Sequence, residues 1–365
     1  MPVFSAQKSG QANLPLHYGQ APPWLFQRMA KLSKQITLTI VDEYGPDEML
    51  RRMSHPYWFQ ALGCVLGFDW HSSGVTTTVC GAIKVGIKGI EEYLGFFAAG
   101  GKGRTSRQTP SELTSWGQQL SVDSAPLIYA SRMSAKVDSA AIQDGYQLYH
   151  HAFFFTDSGA WAVVQQGMNE NTRYARRYHW LGEKVQDFVN EPHSGVSSQA
   201  QSIALDLVAQ QSADARKTIA SIARDEKPDT LIAQLRKLST LTLPARHDLR
   251  LSDMHPDSLQ KILLSTYERQ PADFEQLLGL SGIGPKTIRA LSLISEIIHG
   301  VAPAYRDPAR YSFAHGGKDG IPYPVDRRTY DESIEYLART LQKTRLEQTE
   351  KHAAHIRLDK LRAER

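Results

Sequence analysis

The chain has 365 residues, enough for two ordinary domains, and its 41% hydrophobic and 22% charged residues are typical of a soluble globular protein. Its net charge of +4 is compatible with a polyanionic partner without requiring one. Cys64 and Cys80 are the two cysteines and form no CxxC pair, so the sequence supports neither a zinc ribbon nor a disulfide framework. Because the N-terminus lacks a signal-peptide pattern and no apolar run reaches the roughly 20 residues of a membrane span, we expect a cytoplasmic protein without membrane association.

Helical patterns dominate the beginning of the chain. Apolar residues spaced three and four apart predict a helix over Pro23–Tyr44. A second helical pattern covers residues 46–66, and His55-Pro56 is expected to break it because the residue before a proline avoids the helical conformation. Another helix is predicted to begin at Thr109, which precedes a proline and an acidic residue.

Strands are predicted where β-branched and aromatic residues concentrate, first over residues 74–85 and 93–98. Residues 152–156 and 161–166 read as two further strands. The Asp-Ser-Gly turn between them is a strong hairpin signal. The first half of the chain is therefore predicted to have an α+β fold with an antiparallel hairpin.

The domain organisation follows from the change in pattern after the hairpin. We predict a mixed α/β domain over residues 1–194 and a Ser/Gly/Gln-rich linker over residues 195–202. An all-α domain then covers residues 203–345. Residues 346–365 form a charged C-terminal helix or tail, which is typical of a solvated face and also permits a homodimer.

A glycine-containing hairpin, LSGIGPKT at residues 280–287, is the most specific motif of the helical half. Two glycines allow a sharp turn, and Pro285 is favoured in the first turn of the following helix. The N–H groups at that helix start would face an anion, with Lys286 beside them. The motif resembles the helix-hairpin-helix of DNA repair proteins, which holds the phosphate backbone without reading bases. The residues predicted to contact nucleic acid here are Gly282, Ile283, Gly284, Lys286 and Thr287.

A second interpretation of this hairpin is enzymatic. Bifunctional helix-hairpin-helix DNA glycosylases place a Schiff-base lysine at the position that Lys286 occupies, and Val325-Asp326 resembles their catalytic aspartate segment. The stretch between the two is longer than in that family, and no iron–sulfur cysteines follow. A phosphate contact for Lys286 and a helix cap for Asp326 are the alternatives.

Acidic and histidine side chains are dense in two segments of the first half. Asp69 and His71, two residues apart, can share one face of an extended segment and bind one metal ion; alternatively, Asp69 orients His71 or caps a turn. Residues 134–150 have a helical pattern that would place a polar stripe on one side, which is also typical of a solvent-facing surface. The candidate ligands for Mg²⁺ or Mn²⁺ in phosphodiester hydrolysis are Asp69, His71, Asp138, Asp144, His151 and Glu170, with Lys136 or His150 as base or electrostatic clamp.

Two basic segments are further candidates for contact with nucleic acid. Arg173, Arg176 and Arg177 would share one face of a helix, interleaved with aromatic residues that could stack on unpaired bases or enter the core. Lys102 and Arg104 belong to the glycine-rich loop at residues 100–108, a possible phosphate cradle that lacks the Walker spacing.

Several strings together, including FQALGC, FDWHSSG and AHGGKDG, resemble a prokaryotic family catalogued as domain-of-unknown-function 763. The resemblance covers nearly the whole chain. It implies an N-terminal domain joined to a helix-hairpin-helix, an arrangement suggestive of a DNA repair nuclease.

Three hypotheses follow from these patterns. The first is a nuclease dependent on Mg²⁺ or Mn²⁺ that acts on DNA, with single-stranded or distorted DNA and RNA both open as substrates. The second is a DNA glycosylase or abasic-site lyase that uses Lys286 and Asp326. The third is a DNA-binding protein without catalysis.

Overall fold

The computed structural model describes residues 21–68, 74–198, 201–238, 240–241, 256–310, 327–344 and 348–363. The helices are α1 Pro23–Tyr44, α2 Pro46–Ser54, α3 Pro56–Val65, α4 Gly74–Gly86, α5 Glu91–Leu94, α6 Thr109–Leu120, α7 Ala125–Lys136, α8 Ala213–Asp225, α9 Pro228–Leu238, α10 Pro256–Arg269, α11 Phe274–Gly279, α12 Pro285–Ile297, α13 Arg327–Lys343 and α14 Gln348–Ala363. The strands are β1 Phe96–Lys102, β2 Ile142–Gln143, β3 Gln147–Thr156, β4 Trp161–Asn169, β5 Tyr174–Leu181, β6 Gly195–Ser197, β7 Leu205–Asp206 and β8 Ala304–Tyr305.

Prolines start several of these helices, because the missing N–H of a proline costs nothing in the first turn. The predicted helix Pro23–Tyr44 is confirmed as α1. The predicted break at His55-Pro56 is also confirmed, since His55 is extended, with φ −92° and ψ 112°, between α2 and α3. The imidazole of His55 accepts a hydrogen bond from the N–H of Trp58 at 3.3 Å and so caps α3.

The centre of the molecule is an antiparallel five-stranded sheet with the order β1-β3-β4-β5-β6. The predicted hairpin is confirmed as β3 and β4, with Phe155 paired to Trp161. A smaller sheet has the order β2-β7-β8. The protein therefore has the α+β fold that the sequence predicts.

The strand predicted over residues 74–85 is wrong, because this segment is the helix α4. Val75, Val79 and Ile83 are buried at a spacing of four residues, which matches one face of a helix. Packing of that face against its neighbours outweighs the β propensity of the segment.

The helix predicted over residues 134–150 is also wrong. Helix α7 ends at Lys136 and continues as a π-helical turn, Val137–Ala141, before the chain turns back and enters β3 at Gln147. In the turn before β3, Gly145 has φ +83° and the Asp144 carboxylate accepts a hydrogen bond from the N–H of Tyr146. An Asp-Gly turn of this type ends a helical pattern.

The two faces of the large sheet carry separate hydrophobic clusters. One face packs against α7, α8, α9, α10, α11 and α12 through residues such as Phe153 and Leu277. The other face packs against α1, α3, α4, α13 and α14 through residues such as Phe154 and Leu337. The C-terminal helices, predicted as a solvated or dimerising segment, therefore bury part of their surface within the same chain.

The segment predicted as a linker, residues 195–202, begins as the buried strand β6, which pairs with β5. The hydrophobic cluster around α7 also continues into the helices after residue 202. The domain boundaries themselves stay a prediction. Among the described helices, none is both long and apolar enough to cross a membrane.

Candidate functional site

Pairing of β1 with β3 brings the glycine-rich basic segment onto two adjacent histidines. Gly101 lies opposite His151 and Lys102 lies opposite His150. The close approach requires glycine at position 100, where φ is +79° and a Cβ would lie 2.3 Å from the His151 carbonyl oxygen. Two segments that are 50 residues apart in the sequence thus form one site.

A cavity of about 240 Å³, which we call the histidine pocket, lies between this strand pair, α7 and the 3₁₀ turn Gly103–Gln108. Arg107 and Arg132 are both exposed at the pocket. Of the described residues that line it, none carries a carboxylate. The pocket therefore favours an anion, and two guanidinium groups suit the oxygens of a phosphate. Its lining includes Ser106, Arg107, Ser131, Arg132, His150, His151 and Gln165.

A chain of hydrogen bonds starts at the floor of this pocket. The Ser131 hydroxyl lies 2.9 Å from Nε2 of His151, and Nδ1 of His151 lies 2.9 Å from Oε1 of Gln165. Nε2 of Gln165 donates to Oδ2 of Asp138 at 2.5 Å. Because a carboxylate only accepts, the amide of Gln165 must present its oxygen to His151, and Nδ1 of His151 must carry the proton. In the neutral ring, Nε2 is then an acceptor for the Ser131 hydroxyl.

Asp138, a predicted metal ligand, is the hub of this network. Besides Gln165, its carboxylate accepts a hydrogen bond from Nε1 of Trp180 at 2.9 Å and lies 2.5 Å from Nε2 of His193. The side chain is fully buried. Its two oxygens are thus already engaged by protein groups.

His150 and His151 are both buried. Burial, helped by the nearby charges of His151 and Lys102, lowers the pKa of His150 to about 3. Burial also lowers the pKa of His151 to about 4. Both rings are neutral at pH 7, and both nitrogens of His150 lack a hydrogen-bond partner among the described residues. Because side chains alternate along β3, the His150 ring lies on the face of the sheet that carries Ala152 and Phe154, and only His151 is directed towards α7.

These depressed pKa values predict a loss of stability in mild acid. The unfolded chain binds protons at its histidines near the ordinary pKa of about 6.5, whereas folded His150 and His151 stay neutral down to about 3 and 4. The free energy of unfolding is therefore not reduced by these histidines above pH 6.5. It decreases as the pH falls towards 4, by up to about 1.4 kcal/mol per pH unit for each histidine.

Urea unfolding at pH 7, 6 and 5 measures this slope. A His150→Gln variant should unfold with a shallower pH dependence, because it removes one of the protons taken up on unfolding. An identical slope in the variant would contradict the assignment of His150 as a neutral, buried ring.

Asp144 and Arg176, predicted as a metal ligand and a nucleic-acid contact, form a buried ion pair instead. Nη1 of Arg176 lies 2.8 Å from Oδ2 of Asp144, and Nη2 lies 2.6 Å from Oδ2 of Asp307. The Tyr178 hydroxyl donates to the same Asp144 oxygen at 2.7 Å. Burial raises the pKa of Asp144, although Arg176 and Tyr178 act in the opposite direction.

The predicted helical face of Arg173, Arg176 and Arg177 is wrong because the segment is the strand β5, in which alternate side chains face opposite sides of the sheet. Arg177 is buried on the other side, where its guanidinium donates to Gln60 and lies 4.5 Å from the Phe59 ring centroid. Arg176 and Arg177 are fully buried in the described structure, so neither is placed to meet a nucleic acid. Arg173 is exposed in the turn before the strand, with φ +59°.

Glu170 is the one remaining predicted metal ligand that lies within the described residues. Glu170 is exposed in the turn after β4. Asp69 and His71, like Asp326 of the glycosylase interpretation, lie outside the described residues. Within the described ranges, no three His, Cys, Asp or Glu side chains form a group suited to a metal ion. The polar stripe predicted for Asp144 and His151 depended on a helix that does not form.

The hairpin at residues 280–287 is docked on the end of α7. Lys136, predicted as a clamp at the metal, donates to the backbone carbonyls of Ile283 and, at 3.4 Å, Leu280. Gln143 donates to the Pro285 carbonyl at 2.8 Å. Burial lowers the pKa of Lys136. The carbonyl side of the turn is thus held by the protein.

The N–H side of the turn is open. The N–H groups of Gly282 and Gly284 make no hydrogen bond to the described residues. Pro285 and Lys286 are exposed, and α12 begins here, so its dipole favours an anion at this point. The side chains of Ile283 and Thr287 are buried, which leaves the backbone and Lys286 as the groups that could contact a phosphate.

The hairpin and the histidine pocket are neighbours along α7. Arg132, which lines the pocket, and Lys136, which holds the hairpin, are four residues apart and so share one face of the helix. Lys102 and Arg104 are exposed in the segment that leads to Arg107.

Sequence reasoning missed Ser131, Gln165, Arg107, Arg132 and His193 as candidate site residues. The partnership of Gln165 with His151 could have been found, because the predicted hairpin places position 165 opposite position 151. The other contacts depend on packing between elements that are distant in the sequence.

A family model described as "Protein of unknown function (DUF763)" matches residues 10–325. No curated protein and no solved structure matches the chain.

Proposed function

The chain belongs to the DUF763 family, and we propose that it binds a polynucleotide and hydrolyses a phosphodiester bond in the histidine pocket. The observation that carries this proposal is the buried ring of His151, which lies 2.9 Å from the Ser131 hydroxyl in a pocket bordered by Arg107 and Arg132. The family description states no activity, so the proposal rests on the chemistry of the site.

A phosphate in the pocket would be bound by the two arginines at its edge. The guanidinium groups of Arg107 and Arg132 supply paired donors for its oxygens. A nearby negative charge also raises the pKa of a histidine. Binding of the substrate would therefore move His151 towards the range in which it can exchange a proton with the reacting atoms.

The docked hairpin supplies the second half of the proposal. Its open N–H groups at Gly282 and Gly284 and the start of α12 suit a backbone phosphate. Such contacts position a strand without reading its sequence. Because Arg132 and Lys136 share one face of α7, the hairpin and the pocket lie about one helical turn apart, and one strand could contact both.

The expected Mg²⁺ or Mn²⁺ does not fit the described residues of this pocket, since they offer His151 but no carboxylate. We therefore assign the proton transfers to protein groups.

The test is a cleavage panel with the full chain and labelled single-stranded DNA, duplex DNA, flap DNA and RNA, each with Mg²⁺, with Mn²⁺ or with EDTA. We expect cleavage of at least one substrate, retained in EDTA and lost in Arg107→Ala/Arg132→Ala. Cleavage that EDTA abolishes would overturn the metal-free assignment. Binding without cleavage of any substrate would overturn the nuclease proposal in favour of a non-catalytic DNA-binding protein. A borohydride-trapped adduct on abasic DNA that is lost in Lys286→Ala would support a lyase instead.

The hairpin contributes a prediction of its own. At Gly284, φ is −142° and a Cβ would have no atom within 4 Å, so Gly284→Ala should fold normally while placing a methyl group over the open turn. We expect the Kd for single-stranded DNA to rise about tenfold, as expected for the loss of one charge-assisted hydrogen bond. Lys286→Gln should reduce the slope of log Kd against log salt by about 0.7 to 0.9.

Ser281→Ala, at an exposed neighbouring side chain, is the matched control and should bind as the wild type does. Fluorescence anisotropy at several salt concentrations gives both quantities. If Gly284→Ala and Lys286→Gln both bind with the wild-type affinity and salt slope, the hairpin is a structural turn.

A further inference from the structure

We infer that Ser131 is the nucleophile of the histidine pocket and that it forms a transient covalent phosphoserine link with the substrate. This inference rests on the proposed function and assigns its chemical course. It depends on the contacts of Ser131 and on the groups that orient His151.

The contacts of Ser131 are unusual for a helical serine. A serine within a helix usually donates its hydroxyl proton to a carbonyl one turn earlier. Ser134, one turn further along α7, does this, since its hydroxyl donates to the Ser131 carbonyl at 3.1 Å. The hydroxyl of Ser131 instead lies 2.9 Å from Nε2 of His151, its one hydrogen-bond partner among the described residues. The two serines are both buried on the same helix. The different hydrogen bond of Ser131 therefore comes from His151 in the pocket.

The groups behind His151 determine which nitrogen faces the serine. The carboxylate of Asp138 orients the Gln165 amide, and the amide oxygen then accepts the Nδ1 proton of His151. Nε2 is left unprotonated and able to accept the Ser131 proton. A nucleophile, a base and a third group that orients the base are the arrangement by which serine enzymes activate a hydroxyl. Gln165 and Asp138 are positioning residues here, because they act through His151.

Asp138 is itself fixed from several sides. Nε1 of Trp180 and the His193 ring contact its two oxygens, and the ring of His193 lies 4.4 Å from that of Trp180. The orientation of Gln165 is therefore held by a buried, closely packed cluster. A preorganised base of this kind needs no rearrangement before it accepts a proton.

The reaction balances with groups of the pocket and water alone. Oγ of Ser131 attacks phosphorus while its proton passes to Nε2 of His151, and the bond from phosphorus to the leaving oxygen breaks. The leaving oxygen lies opposite Ser131 across phosphorus, so it takes a proton from water and departs as an alcohol, and hydroxide remains in its place. That hydroxide then attacks phosphorus from the same side. Finally Oγ of Ser131 leaves and recovers its proton from the protonated His151.

The experiment uses the full-length protein and the cleavage substrate identified by the panel, carrying ³²P at the scissile phosphate. Reactions are quenched in acid during turnover, and the protein is examined for denaturation-resistant label and for a phosphorylated peptide containing residue 131. A p-nitrophenyl ester of thymidine 5′-phosphate supplies a second readout. With its good leaving group, it should give a burst of nitrophenolate equal to the amount of enzyme.

We expect Ser131→Ala to lose the label and the burst and to reduce cleavage at least about a thousandfold, as for loss of a nucleophile. Ser134→Ala, the matched variant on the same helix, should keep all three. Thermal unfolding of both variants checks that they fold.

If Ser131→Ala is folded and cleaves within tenfold of the wild type, or if the wild type cleaves with neither label nor burst, this inference is wrong and the proposed function stands. If the wild type cleaves no substrate in the panel, the proposed function is wrong and this inference falls with it.

Discussion

Replacing Arg176 with methionine should lower the free energy of unfolding by about 3–5 kcal/mol, the usual result of removing one member of a buried ion pair. The guanidinium of Arg176 lies between the carboxylates of Asp144 and Asp307, and all three side chains are almost completely buried. Methionine would fill most of the volume but would leave two carboxylates in a region of low dielectric constant. Urea unfolding at pH 7, followed by circular dichroism, measures the change.

Arg51→Met is the matched control. Arg51 makes a two-pronged contact with Glu183, but the two side chains are 47% and 44% exposed. Removal of this surface pair should cost less than about 1 kcal/mol. Adding Asp144→Asn to Arg176→Met should recover part of the lost stability, because it removes one of the two stranded charges. Equal losses for Arg51→Met and Arg176→Met would contradict the assignment of Arg176 as a structural group.

Replacing His151 with asparagine should reduce kcat for cleavage by about 10² to 10⁴, the usual contribution of a general acid–base group. The amide of asparagine can still donate to Oε1 of Gln165, as Nδ1 of the imidazole does. The buried network therefore stays satisfied while the proton acceptor facing Ser131 is lost. Single-turnover rates at saturating substrate separate this effect from a change in binding.

His352→Asn is the control, since His352 is exposed on α14. We expect its kcat to match the wild-type value and the Kd of both variants to stay within about threefold of it. The dependence of kcat on pH adds a further check. His151→Asn should lose the limb of this profile that follows the ionisation of the general base. A kcat that changes less than tenfold in a folded His151→Asn protein would remove His151 from the reaction.

Much of the fold could be predicted from local patterns. The helix Pro23–Tyr44, the break at His55-Pro56 and the β3–β4 hairpin each depend on residues close together in the sequence. The segments at residues 74–85 and 134–150 were predicted wrongly because their structure depends on distant contacts. In α4, burial of one face against the rest of the molecule decides in favour of the helix.

The candidate site was only partly visible in the sequence. Lys102, His150 and His151 were all predicted as functional residues, but in two separate clusters. Their pairing needs the register between β1 and β3, which local patterns do not contain. Arg176 and Arg177 show the opposite error, since two adjacent arginines fit a basic helical face as well as a strand that buries one on each side. The fact that both are buried became clear only from the neighbouring elements.

The packing of α13 and α14 has a practical consequence for anyone who shortens this protein. The family match stops at residue 325, whereas Leu337, Leu341, Ala354 and Leu358 are completely enclosed in the cluster that covers one side of the large sheet. Tyr336 also lies against Trp58 and Arg52. A fragment trimmed to the matched span would expose this hydrophobic surface to water, and copies of the fragment could associate through it. Recombinant work should therefore keep the chain through residue 363.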